Sequence, residues 1–528
     1  MTPGNEAGSK NPMRLAVLLS MAMFVLVVDT SIMNVSISAV VHDLDTTVSK
    51  VQSAIALEAL VSAAFILIGG KIGDLFGRKR AYALGLTGYA IGAIAMTLTH
   101  SVTTIVIFWA IIGGLGASLL LPSMQSLIHG NFSGDMQRKV YALVGAAAAV
   151  AAAVGPLLGG FLTTFLSWRI AFLLEAVIIG VVLLGLGLVK DVPFTGERKI
   201  DPVGAGLSVF GMGGIVLGVL VWQEGGEAVG ALIAVGAFAM AGLFLWLRHA
   251  KRKAKPMLID PELFASPQFR LGITQQMMQQ IALGGIMIVL PIYLQMVHEY
   301  NAMQAGLSLA PLSLSMFVVA LIAGRKAGNI RPSTLIRWGF LLLVVGVGII
   351  IPLVPRADGG LALAIPLMIA GCGLGLLVSQ LNNYTLAPMS EERVSEAAGV
   401  NSAAGSFGLS FGLAVVGAVM LATLAGAFTN LSNNSDVLAS DDKVIVADAL
   451  ESNAQVMTNT QLEDLLSGQP EEVQTEIIAI NTDARHTALQ IALLIPVLVG
   501  LFGLFNSFRM ARLPDLGPSP EHPGLIVG

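Results

Sequence analysis

The chain has 528 residues, 55% hydrophobic and 12% charged, with a mean hydropathy of +0.80 and a formal net charge of −4. Apolar runs recur from one end to the other, the composition of a polytopic membrane protein. The mild negative charge argues against nucleic acid as a partner, and the single cysteine, Cys372, excludes an internal disulfide.

An apolar run of about 18 residues can cross a hydrocarbon core about 30 Å thick. The first such run, at about 14 to 40, follows a short basic head (Lys10, Arg14) with no cleavage site, so a retained helix is expected and not a signal peptide. Within it, FVLVVDTSIMNV carries one acid, Asp29, and a charge at bilayer depth costs roughly 2.5 to 3.5 kcal/mol on insertion scales. The second run, 51 to 69, carries Glu58, and the glycine-bearing basic loop GGKIGDLFGRKR follows it. Runs at 81 to 99, 103 to 127, 140 to 162 and 170 to 189 come next, the last with Glu175 near its start. Two more, at 203 to 222 and 228 to 247, precede the basic stretch RHAKRKAKP. Six further runs lie at 271 to 296, 304 to 323, 334 to 353, 361 to 387, 397 to 426 and 487 to 508, which makes fourteen.

The distribution of basic loops tests that count, because a missed helix would scramble their alternation. With the N-terminus in the cytoplasm, 24 of the 29 Lys and Arg are cytoplasmic, and Lys50, Arg169, Arg356, Lys443 and Arg485 are outside. Both termini are then expected inside. One connection is long: 427 to 485, on the outer side, carries eleven acidic residues against two basic ones, with a loosely helical pattern from 444 to 480. It reads as a solvated excursion packed on the outer face, with cargo capture or partner binding as the other reading.

An internal repeat is faintly visible. GGKIGDLFGRKRAYALG has a partner, AGRKAGNIRPSTLIRWG, about 254 residues later, with Gly328 where Asp74 aligns. That offset divides the chain into an N-terminal six-helix bundle (1–190), a linker with two inserted helices (191–255) and a C-terminal six-helix bundle with the long acidic loop (256–528). The expected class is an all-α membrane protein with a 6 + 2 + 6 arrangement of helices.

Several motifs agree in order and spacing with one family. The chain resembles a major facilitator superfamily transporter of the 14-helix drug:proton antiporter branch. Gly70, Gly73, Asp74, Gly77, Arg78, Lys79 and Arg80 match the superfamily's signature loop. Gly155, Pro156, Gly159 and Gly160 match the antiporter motif, and Asp29, Thr30 and Asn34 match the first-helix motif of the branch. YLQMVHEYNAMQAG, Pro311 and AAGVNSAAGSFG resemble second-half stretches. The resemblance implies the major facilitator fold, a signature loop that clasps the two halves on the cytoplasmic side, and export. There are departures. The Arg common on the fourth helix is absent, with Ala110 and Gly113 at the matching positions, and Leu75 stands where an Arg often follows the signature Asp. Glu58 and Glu175 occur where Tyr and Asn are commoner.

The residues themselves support a reading beside the resemblance. Gly73 and Gly77 permit a tight turn against a neighbouring helix, Arg78 to Arg80 suit an anionic inner leaflet, and Pro156 with flanking glycines suggests a kinked, tightly packed hinge. Asp29 and Glu58 fall at comparable depth, Asp29 roughly 22 Å from the inner boundary at about 1.5 Å per residue. A desolvated carboxyl near a second one can hold a proton and release it where water enters, so both are expected as proton-coupling residues. Glu175 could as well reach water near the outer end of its helix. Gln275, Gln276, Gln279 and Gln280, with Asn382, Asn383 and Met33, are expected to line a cargo cavity for amphipathic or cationic compounds. Gln and Asn bonding only between helices is the alternative.

No phosphate-binding loop, HExxH or nucleophile constellation is present in the sequence, which argues against an enzyme, and no cofactor or metal is expected. The expected function is a proton-coupled exporter in the bacterial cytoplasmic membrane, a monomer whose partners are the bilayer, the proton and the cargo. The rivals are an exporter dedicated to one endogenous metabolite or lipid, and a non-transporting sensor.

Overall fold

Helix starts in this chain are written in its short polar residues. Thr47, Ser101, Ser167, Asp201 and Ser266 each accept a backbone N–H from the first turn that follows, satisfying donors the helix cannot pair internally. Pro202, Pro267 and Pro332 stand in first turns, where a missing N–H costs nothing. The computed structural model describes residues 12–132, 134–191, 201–325, 330–389, 391–439, 442–453 and 459–513.

Among the described residues, fourteen helices are long and apolar enough to cross a membrane. In chain order they are α1 (Pro12–Val35), α2 (Val48–Phe76), α3 (Arg78–Leu98), α4 (Val102–Asn131), α5 (Gly134–Phe165), α6 (Trp168–Leu184) and α7 (Pro202–Gln223). Then follow α8 (Val229–Arg252), α9 (Pro267–Met296), α10 (Ala302–Arg325), α11 (Pro332–Leu353), α12 (Ala364–Leu386), α13 (Glu391–Asn434) and α14 (Glu471–Met510).

Helices α1 to α6 pack among themselves, as do α9 to α14. The two groups meet along α2 against α13 and α5 against α10. α7 and α8 form a hairpin with glycine at the crossing, where a Cβ on Gly214 would sit 2.8 Å from the Gly236 Cα. α7 also packs on the seam between α2 and α13, while α8 is almost wholly exposed to the lipid side.

The bundle has a basic end, carrying the turn between α2 and α3, and an acidic end, carrying the excursion between α13 and α14. That excursion is shorter than its sequence suggests: α13 continues to Asn434 and α14 starts at Glu471, with helices Asp442–Asn453 and Asn459–Leu466 between them. It is tied down by Glu299, at the turn after α9, which accepts Thr460 N–H at 2.7 Å and its hydroxyl at 2.6 Å. Asn481 on α14 donates to Asn459 at 2.7 Å.

Two irregularities bear on the site. α1 stops at Val35, and a short helix, Ile37–Asp43, resumes after Ser36, whose hydroxyl bonds back to the Ile32 carbonyl. In α4, residues Ile105–Gly113 form a π-helical stretch, a geometry often found at functional sites.

Candidate functional site

Asp29 sits on α1 and is 1% exposed. Two donors from different helices reach it: the Tyr89 hydroxyl on α3, bonded to Oδ2, and the Trp109 indole N–H on α4, 3.1 Å from both carboxylate oxygens. Both partners are neutral groups, so the acid is held by hydrogen bonds and not by a salt bridge.

Trp109 falls within the π-helical stretch, and Ala110 next to it is fully buried. Glu58 approaches from α2. A Cβ on Gly114 would lie 2.9 Å from the Glu58 carbonyl oxygen and 3.0 Å from Val61 Cβ, so the glycine is what lets α4 close on α2 there. Glu175 comes from α6 and is 2% exposed. Glu58 and Glu175 both lie close enough to Asp29 for charge interaction, and all three acids lie near Tyr89. Three carboxylates thus converge within the α1 to α6 group.

The glycine and proline motif on α5 joins this site to the seam between the two groups of helices. A Cβ on Gly155 would lie 2.5 Å from Ser31 Cβ, and one on Gly159 would lie 2.9 Å from Ile32 Cα. Both glycines therefore pack on α1 in the turns just after Asp29. Gly160 points the other way, with its Cβ position 2.5 Å from the Ala302 carbonyl oxygen on α10. Gly306 on α10 returns the contact, its Cβ position 2.3 Å from the Pro156 carbonyl oxygen. Thr164 accepts Met303 N–H at 2.9 Å, closing the seam toward the acidic end. α5 continues as one helix through Pro156.

The signature loop lies at the basic end. Gly77, the single residue between α2 and α3, has φ of +99°, which a side chain would strain. Gly70 and Gly73 are in the last turns of α2, with Cβ positions only in ordinary contact, at 3.6 Å from Pro122 and 3.5 Å from Ser123. The tight approach to α4 is made instead by Gly69, which the motif does not include: its Cβ would lie 2.4 Å from the Ser118 carbonyl oxygen. Arg78, Lys79 and Arg80 open α3, and Asp191 accepts the Lys79 N–H at 3.0 Å. The side chain of Asp74 lies outside the described part of the structure, as does its repeat counterpart Gly328.

The four glutamines of α9 divide between two faces. Gln276 and Gln280 are half-buried against Gly405 on α13, and Asn382 and Asn383 on α12 are also half-buried. Asn382 accepts from Asn401 on α13 at 3.2 Å, and Asn383 bonds back to its own helix at Ser379. Gln275 departs from the expected cavity role, because it is fully buried and donates to the Gly503 carbonyl on α14 at 2.8 Å. Gln279, one turn on, is also fully buried, and Met33 is packed in the apolar core.

A network at the basic end fixes the inserted pair. Asp201 caps α7 through Gly204 N–H and also accepts Trp246 Nε1 at 2.9 Å and Leu258 N–H at 3.1 Å. Beyond it, Glu262 pairs with Arg393 at 2.6 Å and with Lys251, and Asp260 N–H donates to Glu396 at 2.7 Å. Hydrogen bonds from Lys251 and then Arg393 hold the Glu262 carboxyl down to about 2.

Residues 19–413 match the model of the Major Facilitator Superfamily, about three quarters of the chain. The chain belongs to the Major Facilitator Superfamily. It is 26% identical over 415 residues to the probable actinorhodin transporter of Streptomyces coelicolor, covering 76% of this chain and 71% of that one. It is 27% identical over 428 residues to the drug efflux pump JefA of Mycobacterium tuberculosis, covering 79% and 82%. The puromycin resistance protein pur8 of Streptomyces alboniger is 27% identical over 415 residues, covering 77% and 81%. In fold, the chain is similar to a bacterial homologue of the human lysosomal transporter Spinster (TM-score 0.61, 13% identity, 96% of this chain and 99% of that one). It is also similar to a D-xylose-proton symporter (TM-score 0.58, 11% identity, 96% and 98%). This superfamily member is a multi-pass membrane transporter with fourteen spans, and its kinship is with efflux transporters and not with enzymes.

Proposed function

We propose that this transporter exports hydrophobic or cationic compounds across the bacterial cytoplasmic membrane in exchange for protons, by alternating access. The observation that carries the reading is Asp29, a fully buried acid whose hydrogen-bonding partners, Tyr89 and Trp109, are both neutral. Such a carboxyl can be occupied either by a proton or, when the site opens, by a cationic cargo. Asp29 is the principal coupling residue in this account, and Glu58 shares the titration.

Orientation follows the basic loops, with the basic end and both termini in the cytoplasm. The three blocks 1–190, 191–255 and 256–528 then act as two rocking halves and an inserted hairpin, in a monomer. Contacts of Gly160 and Gly306 across the seam close the outer side, and the signature loop closes the inner side. Half-buried Gln276, Gln280, Asn382 and Asn383 face the cargo path. The similarity to a drug efflux pump and to a puromycin resistance protein supports export of drug-like compounds. The name of the actinorhodin transporter supports a second reading, an exporter of one defined compound.

Everted membrane vesicles expressing the chain test the reading. Energised vesicles are expected to take up a cationic dye such as ethidium, and to lose it when an ionophore collapses the pH gradient. Uptake that ignores the gradient contradicts proton coupling, and uptake of one compound across a chemically broad panel favours the narrow exporter.

A further inference from the structure

We propose that Glu175 is a second proton-carrying group of the Asp29 site, neutral while the site is closed and exchanging its proton with water when it opens. This rests on the proton-coupled reading above. On α6, buried Trp168, Phe172, Glu175, Ile179 and Val182 recur at the spacing of one helix face, and that face looks into the bundle. Phe172 meets Trp109 edge-on with ring centroids 6.4 Å apart, and Glu175 follows it by one turn on the same side, within the field of Asp29. Among the described residues, neither carboxyl oxygen of Glu175 finds a hydrogen-bond partner.

The contrast with Asp29 decides the assignment. Asp29 has two donors, which suit a charged carboxylate. Glu175 has none, and a lone buried carboxylate is far costlier than a neutral carboxyl. Among the described residues, the titratable groups near it on the helices packed against α6 are Asp29 on α1 and Tyr89 on α3. The stretch 142–165 of α5 contains no titratable residue. Arg169, the cation on its own helix, is bound to Asp43 at 2.5 Å and to the Thr99 carbonyl at 2.7 Å, toward the acidic end. Among the described residues no positive charge acts on Glu175, and a proton fills that role. The chemistry is a single O–H bond made and broken against water, with no change in electrons.

Infrared difference spectroscopy of the full chain in lipid nanodiscs, titrated between about pH 5 and 9, reads this directly and needs no cargo. Wild type is expected to show a protonated-carboxyl stretch whose intensity changes with pH and whose position shifts in D2O. Glu175→Gln should remove that band and Asp29→Asn should keep it. Glu175→Asp, which preserves a carboxyl should the amide misfold, should show the band displaced. A Glu175→Gln spectrum that keeps every carboxyl band overturns the proposal, and so does a Glu175 band that neither titrates nor exchanges. Failure of gradient-driven dye uptake in wild type would instead remove the functional reading while leaving the band in place.

Discussion

The indole N–H of Trp109 is 3.1 Å from both carboxylate oxygens of Asp29, so a fourth-helix tryptophan holds the first-helix acid across the core of the N-terminal group. Hydrogen bonds to charged groups contribute about 1.5 to 3 kcal/mol, enough for a tenfold change or more in an equilibrium. Trp109→Phe and Tyr89→Phe should each lower gradient-driven export about tenfold while the protein still purifies as a single species. Initial rates in vesicles check this, and wild-type rates in both variants would count against Asp29 as a held, working acid.

Neighbouring glycines at the end of α2 should behave differently. A Cβ on Gly69 would lie 2.4 Å from a backbone oxygen of α4, whereas on Gly70 it would make ordinary contact with Pro122 at 3.6 Å. Overpacking of this kind costs about 1 to 3 kcal/mol. Gly69→Ala should lower the midpoint of thermal unfolding by several degrees, and Gly70→Ala should leave it nearly unchanged. Size-exclusion after heating separates the two cases.

The seam between α5 and α10 should have to open in every cycle. Thr164 and Met303 are joined by a 2.9 Å hydrogen bond, so Thr164→Cys with Met303→Cys, on a Cys372→Ser background, should cross-link under mild oxidation. Transport should stop when the pair is oxidised and return on reduction. Full transport by the oxidised protein would exclude movement at this seam.

The Glu262 cluster should be silent in the physiological pH range. Its carboxyl is held down to about 2 by Lys251 and Arg393. A depressed carboxyl stabilises the fold above its ordinary value of 4.5, and that contribution fades only as pH falls from there toward about 2. Glu262→Gln should therefore leave the shape of the export profile between about pH 5 and 8 unaltered, while protease sensitivity of the segment between α8 and α9 rises. A displaced profile would show that this cluster takes part in coupling.

Much of the architecture is legible in the sequence, because length and apolarity settle what can span a bilayer, and all fourteen expected runs correspond to helices. The acids were visible too, since any charge in an apolar run stands out. Their convergence was not, because three helices far apart in sequence bring Asp29, Glu58 and Glu175 together. Tyr89 and Trp109 carry no signal at all, as aromatic residues are ordinary in membrane helices. The four glutamines are expected together at a cargo cavity, yet Gln275 and Gln279 share a side turned away from that of Gln276 and Gln280, as a step of about 100° per residue requires. Gly69 stayed hidden because steric need depends on where α4 crosses, which local sequence does not encode. The excursion looked longer than it is because α13 and α14 extend past the apolar stretch on polar residues.

The most direct test of the account is gradient-driven against downhill transport in Asp29→Asn. Reconstituted into proteoliposomes, the variant should lose dye accumulation against a concentration gradient under an imposed pH difference. It should still equilibrate an uncharged hydrophobic compound down its own gradient, because the amide keeps the shape of the site but can neither take nor release a proton. Uphill accumulation at the wild-type level by Asp29→Asn would contradict the account.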